Sequence, residues 1–89
     1  MPETTLTVRN KVGLHARPAS LFVQTAKKFQ SDIRVQHGER EANAKSILTV
    51  LTLGANRGAV LTLRAEGTDA EDALAALTAL VEENFGEAE

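Results

Sequence analysis

The chain of 89 residues contains no cysteine, no tryptophan and no tyrosine, and it has three phenylalanines. The absence of cysteine excludes disulfide bonds and thiolate metal sites. With so few aromatic residues, the core has to be built from Leu, Val, Ile and Ala. The two histidines and the scattered carboxylates show no metal-ligand spacing, so we expect neither a metal nor another cofactor.

The sequence also has no run of basic residues and no long apolar run. The formal net charge is −2, which argues against nucleic acid as a partner. No stretch approaches the ~20 apolar residues of a membrane span, so membrane insertion is not expected. Residues 1–25 lack the basic start and apolar run of a signal peptide. We therefore expect a single domain over residues 1–89, located in the cytoplasm.

Alternation of apolar and polar residues predicts four strands, over residues 4–9, 32–37, 39–42 and 59–66. The pair His37 and Gly38 is typical of a hairpin turn between the second and third strands. Because alternating strands bury one face of a sheet, the pattern favours a mostly antiparallel sheet that packs on one side.

Apolar residues at helical spacing predict three helices. The first covers residues 16–28 and turns Ala19, Phe22, Val23 and Ala26 inward. The second is short, with Ser46 as its N-cap and an end near residues 53–54. The third begins with a capping box of Thr68 and Glu71 and continues to residues 85–86, after which residues 87–89 are expected to fray. The three helices are expected to pack on one face of the sheet.

The second helix carries more apolar side chains than one inner stripe needs. Ile47, Val50, Leu51 and Leu53 could pack in a core, but Leu48 and Leu51 also point elsewhere. In so small a domain we expect the excess to stay exposed, and an exposed apolar patch indicates a protein-binding surface. The alternative is a short helix that is fully buried.

His15 lies where the first helix is predicted to begin, since Pro18 suits a first helical turn. The unpaired amides of that turn and the helix dipole form an anion site. Arg17 adds a cation whose guanidinium can fork onto phosphate oxygens. This positive surrounding favours a neutral, nucleophilic imidazole near neutral pH. The alternative is a histidine that serves as an ordinary polar cap, with Arg17 solvated.

Three segments carry a resemblance to a known family. Residues 12–19, VGLHARPA, resemble the active-site signature of HPr, the phosphocarrier family of the bacterial phosphoenolpyruvate:sugar phosphotransferase system. Residues 45–48, KSIL, followed by Leu51, Leu53 and Gly54, resemble the regulatory serine region of that family. Residues 65–74 are similar to its closing strand-to-helix segment.

The resemblance covers nearly the whole chain and implies a fold. The implied fold class is α+β, an open-faced β-sandwich. Its four-stranded antiparallel sheet has strand order 1-4-2-3 and carries three helices on one face.

The resemblance also implies a phosphoryl relay. The phosphoryl group would pass from phosphorylated enzyme I to Nδ1 of His15, and then to a histidine on the enzyme IIA domain of a sugar permease. Arg17 matches the residue that neutralises the phosphoryl group, and the amides of Ala16 and Arg17 are the expected backbone donors. Ser46 matches the serine that an HPr kinase/phosphorylase modifies in some bacteria, and catabolite control protein is a further expected partner. We expect a monomeric carrier, not an enzyme.

The contact surface of the family surrounds His15 and the second helix. Beyond Arg17, the resemblance assigns to this surface Ser20, Leu21, Gln24, Lys27, Ile47, Leu48 and Leu51. Some relatives carry a basic residue at position 24, so Gln24 implies weaker electrostatic attraction to partners.

Three other functions are compatible with parts of the pattern. A nitrogen-branch paralogue would use the same chemistry with different partners. An acylphosphatase-like enzyme would share the order of strands and helices, but the Gly-rich phosphate loop near the first strand is lacking and Asn56 has no obvious catalytic neighbour. A regulatory homologue without a carrier histidine is disfavoured by the presence of His15.

Overall fold

The computed structural model describes residues 2–86, so the fraying expected for residues 87–89 lies outside the described chain. The strands are β1 (Glu3–Thr7), β2 (Asp32–His37), β3 (Arg40–Asn43) and β4 (Val60–Glu66). The helices are α1 (Ala16–Ala26), α2 (Ile47–Leu51) and α3 (Ala70–Glu82), followed by a 3-10 turn over Asn84–Gly86. Within residues 2–86, no helix has the length and apolar character needed to cross a membrane.

The four strands form one antiparallel sheet in the order β1-β4-β2-β3. The three helices pack against one face of this sheet, and the other face is open. The predicted α+β open-faced sandwich with strand order 1-4-2-3 is therefore confirmed. In this topology β1 and β4 are neighbours although about fifty residues of chain separate them.

The alternation of the strands decides which face of the sheet is buried. Leu61 and Leu63 of β4 are fully buried, as are Ile33 and Val35 of β2. Phe22 of α1 is fully buried against them, in one continuous core. Burying each such side chain contributes about 1.5–3 kcal/mol, which compensates for the scarcity of aromatic residues.

The open face of the sheet is polar and charged. An ion pair joins Arg64 and Glu3 at 2.9 Å, and a second joins Arg34 and Asp32 at 3.5 Å. Val60 is an apolar exception and is 53% exposed. These pairs are solvated, so each contributes at most about 1 kcal/mol.

Several predicted ends of elements are wrong by a few residues. The hairpin turn is formed by Gly38 and Glu39, because His37 is still in β2 and pairs with Arg40. Helix α3 ends at Glu82 and not at residues 85–86. The backbone of Asn84 and Phe85 is left-handed, which breaks the helix and turns the Phe85 ring into the core.

The predicted capping box of Thr68 and Glu71 is also wrong. Asp69 is the N-cap of α3, and its side chain makes no capping hydrogen bond. Its carboxylate instead accepts hydrogen bonds from the Gln30 amide at 2.8 Å, the Ser31 amide at 2.9 Å and the Ser31 hydroxyl. The Ser31 hydroxyl, followed by the Gln30 amide, holds the pKa of the Asp69 carboxyl below its ordinary value. This tertiary contact ties the start of α3 to the turn before β2.

We expect Asp69→Asn to lower Tm at neutral pH, because the amide is a weaker acceptor for these donors. The folded-state pKa of Asp69 is lowered, so the carboxylate stabilises the fold fully above the unfolded-state pKa of about 4. That stability is lost as pH falls through the lower folded-state pKa. In thermal unfolding followed by circular dichroism, the Tm difference between wild type and variant should shrink in acid. Asp72→Asn, an exposed change on the same helix, is the control, and an equal pH-dependent loss there would contradict the account.

Candidate functional site

Two loops meet at one end of the sheet. Thr7 at the end of β1 pairs with Val60 at the start of β4, so the segments that follow β1 and precede β4 lie side by side. The Leu14 amide donates to the Ala55 carbonyl at 2.8 Å. A Cβ at Gly13 would lie 2.4 Å from that carbonyl oxygen, and the φ of Gly13 is +67°. Both facts require glycine here, because another side chain would clash and strain the backbone.

His15 is the N-cap of α1, in an extended backbone conformation, and its side chain is exposed. The side chain makes no capping hydrogen bond, so the ring is not an ordinary polar cap. Its Nε2 lies 2.8 Å from Oδ1 of Asn56, in the loop before β4. The ring is therefore directed across the loop contact toward a residue 41 positions later in the sequence.

This hydrogen bond fixes the chemistry of the ring. An amide oxygen accepts hydrogen bonds and cannot donate them, so Nε2 of His15 carries the hydrogen. In the neutral ring the lone pair is then on Nδ1. Nδ1 is consequently the nucleophilic nitrogen.

The start of α1 supplies an anion-binding environment beside this ring. The amides of Ala16 and Arg17 belong to the first turn, where backbone donors have no intrahelical acceptor. Arg17 is exposed, and its side chain makes no hydrogen bond or ion pair within residues 2–86. Ala16 has a φ of 42°, a left-handed conformation that costs roughly 1–2 kcal/mol in a residue with a Cβ. Strain of this kind concentrates at functional sites.

Ser46 is the N-cap of α2, as predicted from the sequence, and is half-buried. Its backbone is engaged, since its amide donates to Asn43 and its carbonyl accepts from Val50, both at 3.0 Å. Its side chain makes no capping hydrogen bond. The hydroxyl is therefore not used to hold the helix.

A groove of about 220 Å³ lies between α1 and α2. Five side chains line this groove: Ser20, Val23, Gln24, Lys27 and Ile47. Gln24 donates from Nε2 to the Ser20 hydroxyl at 3.1 Å, which links two of them along α1. The groove thus brings together four of the predicted contact residues, Ser20, Gln24, Lys27 and Ile47. The other three do not line it. Leu21 packs partly buried against the core, and Leu48 and Leu51 are exposed on α2.

Three apolar side chains of α2 are exposed, and we call them the α2 patch: Ile47, Leu48 and Leu51. Leu48 is 74% exposed and the other two are each 39% exposed. Val50 and Leu53 are buried and attach the segment to the core. The predicted exposure of Leu48 and Leu51 is confirmed, and the fully buried alternative is wrong. The expectation that Ile47 lies in the core is also wrong, because its side chain is exposed beside theirs.

The second histidine has a structural contact at the far end of α2. His37 Nδ1 lies 2.8 Å from the Leu53 carbonyl, and Arg40 donates to the Thr52 carbonyl at 2.7 Å. The β2–β3 hairpin thereby satisfies carbonyls at the end of the helix that carries the α2 patch. Within residues 2–86 no three His, Asp or Glu side chains are grouped to hold a metal ion.

Asn56 is the site residue that the sequence reasoning missed. Residue spacing carries no signal for it, because it lies far from His15 along the chain. The predicted strand order carries one, since antiparallel neighbours β1 and β4 bring the segment after β1 beside the segment before β4. The predicted strand order puts the loop after β1 and the loop before β4 at the same end of the sheet. Comparing those two loops would have predicted that Asn56 lies near His15.

Comparisons with known proteins match nearly the whole chain. A family model described as PTS HPr component phosphorylation site matches residues 2–83. The curated phosphocarrier protein HPr of Xylella fastidiosa is 47% identical over 87 residues, which cover 98% of each chain.

Solved structures show the same likeness over the whole chain. The crystal structure of HPr-C-His from Thermoanaerobacter tengcongensis has 52% identity, covers 100% of both chains and gives a TM-score of 0.97. An HPr dimer from the same organism has 53% identity, covers 98% of this chain and 100% of its own, and gives a TM-score of 0.79. With fold, motif and full-length relatives in agreement, the chain belongs to the HPr family of phosphocarrier proteins of the phosphotransferase system.

Proposed function

We propose that this chain carries a phosphoryl group on His15, accepting it from phosphorylated enzyme I and passing it to enzyme IIA domains of sugar permeases. The observation that carries the proposal is the His15 ring itself. The ring is exposed at the start of α1 and bonded through Nε2, with Nδ1 left as the nucleophile. The cytoplasm, where both partners are expected, is the setting of this relay.

The start of α1 suits a phosphoryl group that has to leave again. The negative oxygens of a phosphoryl group on Nδ1 would face the amides of Ala16 and Arg17 and the Arg17 guanidinium. Each helix-end interaction of this kind contributes roughly 0.3–1 kcal/mol when exposed. That is enough to hold a labile N–P bond without making it inert. The chain thus acts as a stoichiometric carrier and not as an enzyme.

The partner surface in this proposal combines the α2 patch with the groove between α1 and α2. Leu48 and Leu51 supply exposed apolar area, while Arg17 and Lys27 supply positive charge. Such a surface suits a partner with apolar side chains inside a negatively charged rim. We propose that the chain is a monomer when it docks, although a relative from Thermoanaerobacter tengcongensis was crystallised as a dimer.

We also propose that Ser46 is a regulatory phosphorylation site for an HPr kinase/phosphorylase. The hydroxyl is not occupied by capping and lies next to Ile47 of the α2 patch. A phosphate there adds about −1.5 to −2 charge at neutral pH, which repels a partner with an acidic rim. A phosphoserine on this surface is also the form that catabolite control protein would recognise.

Labelling with phosphoenolpyruvate and enzyme I tests the carrier role. We expect acid-labile, base-stable phosphate on the wild-type protein and none on His15→Ala, because the accepting nitrogen is removed. His37→Ala is the matched control and should be labelled normally, since Nδ1 of His37 is engaged by the Leu53 carbonyl and is not free to accept a phosphoryl group. Unchanged labelling of His15→Ala would overturn the carrier role.

Charge placed in the α2 patch tests the docking surface. We expect Leu48→Asp to raise the KM of enzyme I for this protein about tenfold, as for loss of an interface residue that contributes more than ~1 kcal/mol. Val60→Asp is the matched control, because Val60 is also exposed but lies on the open face of the sheet. Equal KM values for Leu48→Asp and wild type, measured by steady-state phosphoryl transfer, would remove the patch from the interface.

Incubation with ATP and an HPr kinase tests the serine. We expect one acid-stable phosphate on the wild type and none on Ser46→Ala, detected by mass spectrometry. Thr49→Ala, which removes the next exposed hydroxyl of α2, should be modified like the wild type. Ser46→Asp should also slow transfer from enzyme I by repulsion. Persistent modification of Ser46→Ala would refute the assignment.

A further inference from the structure

We propose that Asn56 is a positioning residue for His15. Its Oδ1 accepts the Nε2 hydrogen, holds the ring in the Nε2–H tautomer and thereby selects Nδ1 as the nitrogen that accepts the phosphoryl group. The inference rests on the proposed carrier function. It adds a residue that lies outside the sequence motif around His15.

The backbone of Asn56 is fixed on both sides, so its side chain is preorganised. The Asn56 carbonyl accepts a hydrogen bond from the Ala59 amide at 2.9 Å, and the preceding carbonyl of Ala55 accepts from Leu14 at 2.8 Å. A Cβ at Gly13 would lie 2.7 Å from the Asn56 Cα, which shows how closely the two loops approach. The Oδ1 atom of Asn56 can therefore bond to the His15 ring with little further loss of backbone conformational freedom.

The transfer step leaves the proton of the ring in place. The Nδ1 lone pair forms a bond to phosphorus while the bond from phosphorus to the donor atom breaks, and that bonding pair stays with the donor. The His15 ring becomes a cation that still carries its hydrogen on Nε2. The bond to Asn56 Oδ1 then becomes charge-assisted and stronger. On discharge, the electron pair returns to Nδ1 and the neutral Nε2–H tautomer is restored.

The two histidines of the chain are held in opposite tautomers. His15 bonds through Nε2 to an amide oxygen, whereas His37 bonds through Nδ1 to the Leu53 carbonyl. A carbonyl accepts and cannot donate, so His37 carries its hydrogen on Nδ1. His37 thus provides an internal reference for the tautomer of His15 in the same sample.

Nitrogen NMR of the unphosphorylated protein at alkaline pH, where both rings are neutral, measures this directly. In the wild type we expect a protonated Nε2 with a lone-pair Nδ1 for His15, and the reverse for His37. Asn56→Ala should move the His15 nitrogen shifts toward the average of a mixed tautomer and leave His37 unchanged. Asn56→Asp keeps an acceptor oxygen and should restore the Nε2–H tautomer, which a merely structural role of Asn56 would not predict.

The rate of phosphoryl transfer from enzyme I is the second readout. We expect Asn56→Ala to slow transfer about two- to tenfold, the effect of losing one hydrogen bond. Gln30→Ala, which removes an exposed amide side chain at the opposite end of α1, is the control and should transfer at the wild-type rate. The Asn56→Asp variant is read for tautomer alone, since its added charge repels the incoming phosphoryl group.

The outcomes separate this inference from the function on which it rests. If Asn56→Ala keeps the wild-type nitrogen shifts of His15 and the wild-type rate of phosphoryl transfer, the positioning role of Asn56 is overturned while His15 remains the carrier. A mixed His15 tautomer in a wild-type protein that is labelled on His15 would overturn it in the same way. If His15 is held in the Nε2–H tautomer but the protein takes up no phosphate from enzyme I, the carrier function is overturned. The role of Asn56 in phosphoryl transfer is then overturned as well.

Discussion

The close backbone contact between the loop before α1 and the loop before β4 is the constraint on which the site depends. It exists because β1 and β4 are antiparallel neighbours and because Gly13 has no Cβ to separate Leu14 from Ala55. Without this close packing of the two loops, the His15 ring and the Asn56 side-chain amide would not lie within hydrogen-bond distance. A sheet pairing and one glycine therefore determine which nitrogen of an exposed imidazole is nucleophilic.

Helices α1 and α2 supply different features next to this contact. The first turn of α1 supplies backbone amides, the Arg17 guanidinium and a strained Ala16 beside the ring. Helix α2 supplies apolar area in its patch, with Ser46 at its start and the carbonyls at its end held by His37 and Arg40. In the proposed function, chemistry and docking therefore belong to different elements, so that a charge on Ser46 would act on docking without altering the His15 ring.

Much of this arrangement follows from the sequence, because its determinants are local. The alternation in β2 and β4 identifies Ile33, Val35, Leu61 and Leu63 as core residues, and the stripe on α1 identifies Phe22. The position of His15 before Pro18 predicts a ring at a helix start. The excess of apolar residues on α2 predicts an exposed patch.

The features that sequence reasoning missed are those that tertiary contacts decide. Thr68 and Glu71 have the spacing of a capping box, but Asp69 is the N-cap and its carboxylate accepts hydrogen bonds from Gln30 and Ser31 in the turn before β2. The 3-10 turn at Phe85 combines a left-handed backbone at Asn84, Phe85 and Gly86 with burial of the Phe85 ring in the core. Local spacing gives Asn56 no catalytic neighbour, since its partner His15 is identified only when strand order is used to compare loop positions.

The most direct test of the account is the position of phosphorus on the ring. In nitrogen-labelled, phosphorylated protein, scalar coupling between phosphorus and the imidazole nitrogens identifies the attached atom. The account predicts direct coupling to Nδ1 of His15, with Nε2 still protonated and bonded to Asn56. Phosphorus attached to Nε2, with the Asn56 hydrogen bond lost, would contradict it.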